Sequence, residues 1–244
     1  MNVDDKLYKW KYVLNEPDWY VRLLPELKEV LAFVSTQTPD AKLKLKNQVY
    51  NFFEQEIKAG NVKFASTGYN FDAERKPIDT VVIHHTENLP SITWQRVNVT
   101  HMLKLYVPYY ANPTLPQEMH IKGTPLYSGH TRAGKQVFYS YHWLVRNDGS
   151  FERLLHDNET GWHAGNWDVN CRSVGIALDN DYTNSKPSSG ELKAIVKLIK
   201  ENYSGVLKQN IIGHGEVNNK TCPSNLFLSK NGVRGWKEDL LALL

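Results

Sequence analysis

The stretch Pro77-Ile78-Asp79-Thr80-Val81-Val82-Ile83-His84-His85-Thr86 is a β-branched run that ends in two imidazoles. It reads as a buried central strand. Side chains alternate along a strand, so His84 shares a face with Val82 and His85 with Ile83, and at most one of them points into any one site. A lone histidine at a strand end is commonly a hydrogen-bonded core residue. Here that reading competes with a downstream stretch, Ile211-Ile212-Gly213-His214-Gly215-Glu216-Val217-Asn218-Asn219-Lys220-Thr221-Cys222-Pro223, which carries a second imidazole and a thiol outside any obvious helix. His214 and Cys222 lie eight positions apart across a polar loop. They cannot share a helical face, but a turning loop can aim both at one point, and Zn²⁺ accepts both ligand types. Lys220 would add a fixed positive charge without being a ligand. A third ligand must come from elsewhere.

The chain has 244 residues, 41% of them hydrophobic, enough for one sizeable core with a small appended domain. Its formal charge is +3, and Lys and Arg are scattered. That lacks the basic footprint of a nucleic-acid binder and leaves an anionic polymer surface as a reasonable partner. No apolar run approaches the roughly 18 residues of a membrane span. The opening Met1-Asn2-Val3-Asp4-Asp5-Lys6 has no apolar core of the signal-peptide kind. With two cysteines, Cys171 and Cys222, the chain is not a disulfide scaffold. Either Cys222 binds metal and Cys171 is a free thiol, or the two form one disulfide.

Residues 1–75 read as a helical extension without a catalytic constellation, a packing or docking element. Leu24, Leu27, Leu31 and Val34 fall on one helical face, and Pro25 predicts a late start. Thr38-Pro39 supplies an N-cap and first-turn proline, Leu45, Val49, Phe52 and Phe53 a stripe, and Gly60 a stop, completing a helical hairpin. Residues 76–244 read as the second domain. A helix is predicted over 91–106, with Val99, Met102, Leu103 and Tyr106 on one side. The segment 107–135, with little periodicity, predicts a surface loop or insertion of the kind that lines a groove. Residues 137–145 and 150–155 predict a strand pair around Asn147-Asp148-Gly149. Gly161-Trp162-His163-Ala164-Gly165-Asn166 predicts a ligand-facing loop, and 173–178 another strand. Ser188 with Glu191 has capping-box spacing ahead of a stripe of Leu192, Ile195, Val196, Ile199 and Tyr203. A last helix is expected to bury Val233, Trp236 and Leu240. The expected class is α/β (α+β): a central mixed β-sheet flanked by helices, with an N-terminal helical extension.

Four segments, in order, resemble one family: Val81-Val82-Ile83-His84-His85-Thr86; Tyr141-His142-Trp143-Leu144-Val145-Arg146-Asn147-Asp148-Gly149; Gly161-Trp162-His163-Ala164-Gly165; and Gly213-His214-Gly215-Glu216-Val217 with Lys220-Thr221-Cys222-Pro223. They are similar to the type 2 N-acetylmuramoyl-L-alanine amidases, the superfamily of phage lysozyme-type amidases and peptidoglycan recognition proteins. The likeness spans 77–244 and leaves the first 75 residues unexplained. It implies one Zn²⁺ ion held by His84, His214 and Cys222, with the open fourth position of a catalytic site. It implies Tyr141 as the assisting tyrosine, Lys220 as the assisting lysine, and His163, Asn166 and Trp162 as contacts to the muramoyl peptide. The implied reaction is hydrolysis of the amide joining the lactyl group of N-acetylmuramic acid to L-alanine of the stem peptide. Peptidoglycan or muropeptide is then the substrate, the bacterial cell wall the place of action, and a monomer the expected state, with no nucleic acid and no membrane span.

This chain departs from that pattern in two places. Many bacterial members read Gly-Ile-Glu where it has Gly175-Ile176-Ala177, so a carboxylate serving as general base is missing and proton transfer falls to Tyr141, Lys220 or solvent. The long gap between His84 and Tyr141 holds the extra 107–135 segment, which would reshape the substrate groove. Two other readings compete with the enzyme. A non-catalytic peptidoglycan-binding recognition module shares the fold, although such relatives usually lack a complete zinc triad. A Cys-His hydrolase with Cys222 as nucleophile would want the thiol at a helix N-terminus beside a base.

Overall fold

The computed structural model describes residues 1–88, 90–114, 125–138 and 141–244. The chain divides into two compact units, Met1–Asn70 with Gln95–Tyr139, and Phe71–Trp94 with Ser140–Leu244.

The first unit opens with three helices, α1 (Val3–Lys11), α2 (Trp19–Ser35) and α3 (Pro39–Lys58), where periodicity predicted two. α1 has no counterpart in the prediction because Val3, Leu7 and Trp10 are sparse among charged residues. All three are buried, and Trp10 Nε1 donates to Glu26 at 3.2 Å. α2 starts ahead of Pro25 rather than after it. The proline removes one intrahelical hydrogen bond, but Trp19, Tyr20 and Leu23 before it are buried. A side chain the size of Leu23 contributes roughly 1.5–3 kcal/mol when buried. α4 (Trp94–His101), a π-helical turn (Met102–Tyr106) and α5 (Val107–Tyr110) follow one another, so the helix predicted over 91–106 begins later and runs further. Val99, Met102, Leu103, Val107, Leu126 and Phe138 share a core with Trp10, Trp19 and Phe53. A short hairpin, β2 (Thr131–Arg132) and β3 (Lys135–Gln136), is tied in by Gln136, whose amide donates to the carbonyls of Ala65 and Thr67 at 2.9 and 2.8 Å. Much of the predicted loop is therefore structured. Its residues 115–124, and residues 139–140 of the predicted 137–145 strand, lie outside the described residues.

The second unit is built on one mixed sheet. β1 (Thr80–His85) lies between β6 (Ser173–Leu178) and β7 (Ile211–Gly213), parallel to both. β4 (Trp143–Val145) runs parallel to β6 and antiparallel to β5 (Phe151–Arg153). β4 is shorter than predicted because Val137 and Phe138 are buried in the first unit. Helices cover both faces. On one, Leu192, Ile195, Leu198 and Ile199 of α7 (Ser189–Asn202) and Trp236 and Leu240 of α9 (Trp236–Leu243) pack with Val81, Ile83, Val174 and Ile176. On the other, Val169 of α6 (Trp167–Arg172), Val217 of α8 (His214–Asn218) and Ala164 gather on Val82. The alternation read along β1 is thus observed. Ser188 and Glu191 form the expected capping box at the start of α7. Val233 is a correction: it is 63% exposed in a backbone-paired turn with Lys230, ahead of the first residue of α9. Among the described residues no helix is long and apolar enough to cross a membrane.

Candidate metal centre

The register of β1 against β7 pairs Ile83 with Gly213. One step further, His84 and His214 face each other with ring centroids 4.8 Å apart. His214 opens the short helix α8 rather than lying in a non-helical loop as its sequence suggested. Glu216 shapes that turn: one carboxylate oxygen accepts from the Gly213 N–H at 2.7 Å and the other pairs with Lys237 at 2.6 Å. The chain then reverses through left-handed Asn219, φ 38°. The Gly215 N–H donates to the Cys222 carbonyl at 2.7 Å, which returns the cysteine to the histidine. A Cβ at 215 would stand 2.3 Å from the Lys220 carbonyl oxygen, so this approach requires glycine.

One ligand atom from each of His84, His214 and Cys222 lies within 4.8 Å of the others. Cys222 Sγ is 3.7 Å from His84 Nδ1. Bonds of ~2.0–2.3 Å in a tetrahedron imply ligand separations of roughly 3.3–3.7 Å, so that pair already has the spacing a zinc ion needs. Among the described residues, His214 Nε2 is buried without a hydrogen-bond partner, which is uncommon for an imidazole with a purely structural role. Both cysteines are free thiols, so the disulfide alternative is not formed. The donor set fits a thiolate- and imidazole-preferring metal.

Burial, helped by the charges of Lys220 and His85, brings His214 down to about 4. Burial, with His214 and Arg75 adding to it, brings His163 to about 3. Both rings are therefore neutral near pH 7, the form in which imidazole ligates metal. Burial pushes the Cys222 thiol up to about 12, against a hydrogen bond to the His85 backbone and with the Glu87 charge adding to the rise. Such a thiol is a poor free nucleophile. It lies in a loop rather than at a helix N-terminus, which counts against the Cys-His hydrolase, whereas a bound cation would deprotonate it outright. Tyr141 is 8% exposed with its ring 4.9 Å from that of His84. Burial raises its hydroxyl above the ordinary tyrosine range, so it remains a proton donor. Lys220 is exposed. His85 lies on the opposite face of β1, where its Nδ1 accepts from the Tyr182 N–H at 2.9 Å.

In the 161–166 loop, His163 is buried behind His84, its Nδ1 3.2 Å from His84 Nε2. Asn166 caps α6, its side chain accepting from the Val169 N–H at 3.1 Å. Trp162 is half-buried, 5.4 Å from Phe71 and 4.9 Å from Trp167 between ring centroids. Phe71 and Trp167 form no part of the sequence reading. The available signal was a second tryptophan so soon after the first. Asn170 Oδ1 accepts from the backbone N–H groups of His163 and Ala164 at 3.1 and 2.8 Å. Ala177 pairs in register with His84 and is fully buried, so no carboxylate occupies that position.

The N-acetylmuramoyl-L-alanine amidase family matches residues 74–225, more than half of the chain, and the chain belongs to that family. A search of the curated proteins finds no significant match. Among solved structures, N-acetylmuramoyl-L-alanine amidase LysC of Clostridium intestinale is 20% identical over 74% of this chain and 93% of its own, with TM-score 0.47. The endolysin of a Thermus scotoductus bacteriophage is 20% identical over 66% of this chain and 85% of its own, with TM-score 0.41. Drosophila peptidoglycan recognition protein SD is 19% identical over 61% and 76%, with TM-score 0.38. These overlaps are loose, and the family match carries the assignment.

Proposed function

We propose that this chain hydrolyses the amide between N-acetylmuramic acid and L-alanine in peptidoglycan in a zinc-dependent reaction. The observation that carries this reading is the convergence of His84, His214 and Cys222 within 4.8 Å, with Tyr141 beside them. Zinc bound there supplies Lewis acidity toward the amide carbonyl and a water whose pKa falls toward ~7. The rest falls to the protein. Tyr141, kept protonated by burial, donates a hydrogen bond to the oxygen on which charge develops. Lys220, exposed two residues before Cys222, brings its ammonium to that same charge. With Ala177 where a carboxylate could have stood, the amine's proton comes from Tyr141, Lys220 or solvent. Trp162 and Asn166 border the muramoyl peptide in this reading.

Lys220→Ala separates an enzyme from a recognition module. The variant should bind zinc at wild-type stoichiometry and sediment with intact peptidoglycan as wild type does, while turnover falls ~10² to 10³-fold, the range for losing one oxyanion stabiliser. Peptidoglycan binding by the zinc-loaded wild type without release of any amide-cleavage product would point instead to a non-catalytic recognition module.

A further inference from the structure

We propose that His163 is a positioning residue for the metal centre: together with Ser173 it fixes His84 in the tautomer that carries its proton on Nε2 and turns Nδ1 toward Cys222. This rests on the zinc reading above. Ser173, fully buried at the first position of β6, has one hydroxyl hydrogen and donates it to the Val169 carbonyl at 2.5 Å. Its oxygen can then only accept from His163 Nε2, 3.3 Å away, so that nitrogen carries the His163 proton. A neutral imidazole protonated there is an acceptor at Nδ1, and the atom 3.2 Å from Nδ1 is His84 Nε2, which must donate. His84 protonated on Nε2 has its lone pair on Nδ1, the atom 3.7 Å from Cys222 Sγ. Each link therefore has one polarity, set at the buried Val169 carbonyl and read out at the metal site.

The geometry around His163 serves that task. Asn170 holds its backbone N–H, and its ring meets that of His84 edge-on at 88°. Gly175 in β6 makes room for it: a Cβ there would stand 2.9 Å from the His163 ring carbon Cγ. Partners that fix the second N–H of a metal-ligating imidazole are typically worth ~10 to 100-fold in metal affinity.

The test combines zinc affinity, by competition with a chromophoric chelator, with nitrogen NMR of the imidazoles in the metal-free full-length chain. Wild type should bind one zinc and show His84 protonated at Nε2 alone. His163→Leu should weaken zinc binding by ~10 to 100-fold and show His84 in both tautomers. Ser173→Ala should shift both readouts the same way by less. His163→Gln should restore most of the affinity, because its carboxamide can accept from His84 and donate to Ser173. A merely structural role would give neither the tautomer change nor the rescue. Should the leucine variant fail to fold, the wild-type tautomer decides alone. A His84 proton on Nδ1 in the metal-free wild type, or wild-type zinc affinity in folded His163→Leu, would overturn the proposal while leaving the metal reading intact. A wild-type chain that binds no zinc would overturn both.

Discussion

Cys222 and Lys220 sit two positions apart and should fail in different ways. Cys222→Ser removes the soft ligand of a three-ligand set, so zinc content measured after dialysis should drop, and hydrolysis with it. Lys220→Ala should keep its zinc and lose only turnover. Tyr141→Phe should resemble the lysine variant and be milder where water replaces the hydroxyl. Zinc content that stayed full in Cys222→Ser would remove that residue from the ligand set. His142 titrates against stability. Its Nδ1 accepts from the Gly175 N–H at 3.1 Å and its Nε2 pairs with the Glu159 carbonyl at 3.0 Å, so the folded chain has no place for a second ring proton. Burial, then the charges of His163 and Arg75, hold it well below its ordinary 6.5. A value depressed by folding means that the unfolded chain takes up the proton first as pH falls. Stability is therefore undiminished above about 6.5 and drains away below it. The urea midpoint of the metal-free chain should decline between about pH 6.5 and 5. A rising midpoint in that window would contradict this account of His142.

At the scale of elements, α8 and the loop behind it form the most sensitive part of the centre. Gly215→Ala would place a methyl against the Lys220 carbonyl, which is backbone and cannot step aside. The substitution should break the return of Cys222 to His214 and cost most of the zinc affinity, while circular dichroism changes little. Leu198→Ala in α7 should do the reverse: a fully buried leucine lost from the opposite face of the sheet costs ~2–5 kcal/mol of stability and leaves zinc stoichiometry alone. β1 was legible in the sequence because a β-branched run ending in two histidines has one buried-strand reading, and strict alternation then sends His84 and His85 to different faces. The spacing of Gly213, His214, Gly215 and Cys222 carried the second half of the site. Ser173 carried no signal, since a serine at the start of a strand has no pattern of its own. His163 was visible as an unusual residue, but only the fold shows it behind His84 rather than in the open. α1 and the early start of α2 depend on packing that propensity does not report.

For the whole molecule, pairing of distant stretches was the least legible property. Gln95–Tyr139 shares a core with the N-terminal helices, a long-range arrangement that no local periodicity encodes. Deleting residues 1–70 would therefore uncover Val99, Met102, Leu103, Leu126 and Phe138. Every residue given a chemical role lies in the other unit, so the truncated chain should bind hydrophobic dye and lose solubility while its soluble fraction keeps zinc. A folded truncation without metal would show that the N-terminal helices belong to the centre after all. The central claim is zinc-dependent cleavage of one amide bond, and the most direct measurement is N-terminal analysis of purified peptidoglycan after incubation with the chain. Zinc-loaded wild type should release new L-alanine amino termini and matching muramoyl carboxyl ends, with none from chelator-treated protein or Cys222→Ser. Fully zinc-loaded wild type that bound the polymer yet produced no new alanine termini would contradict it.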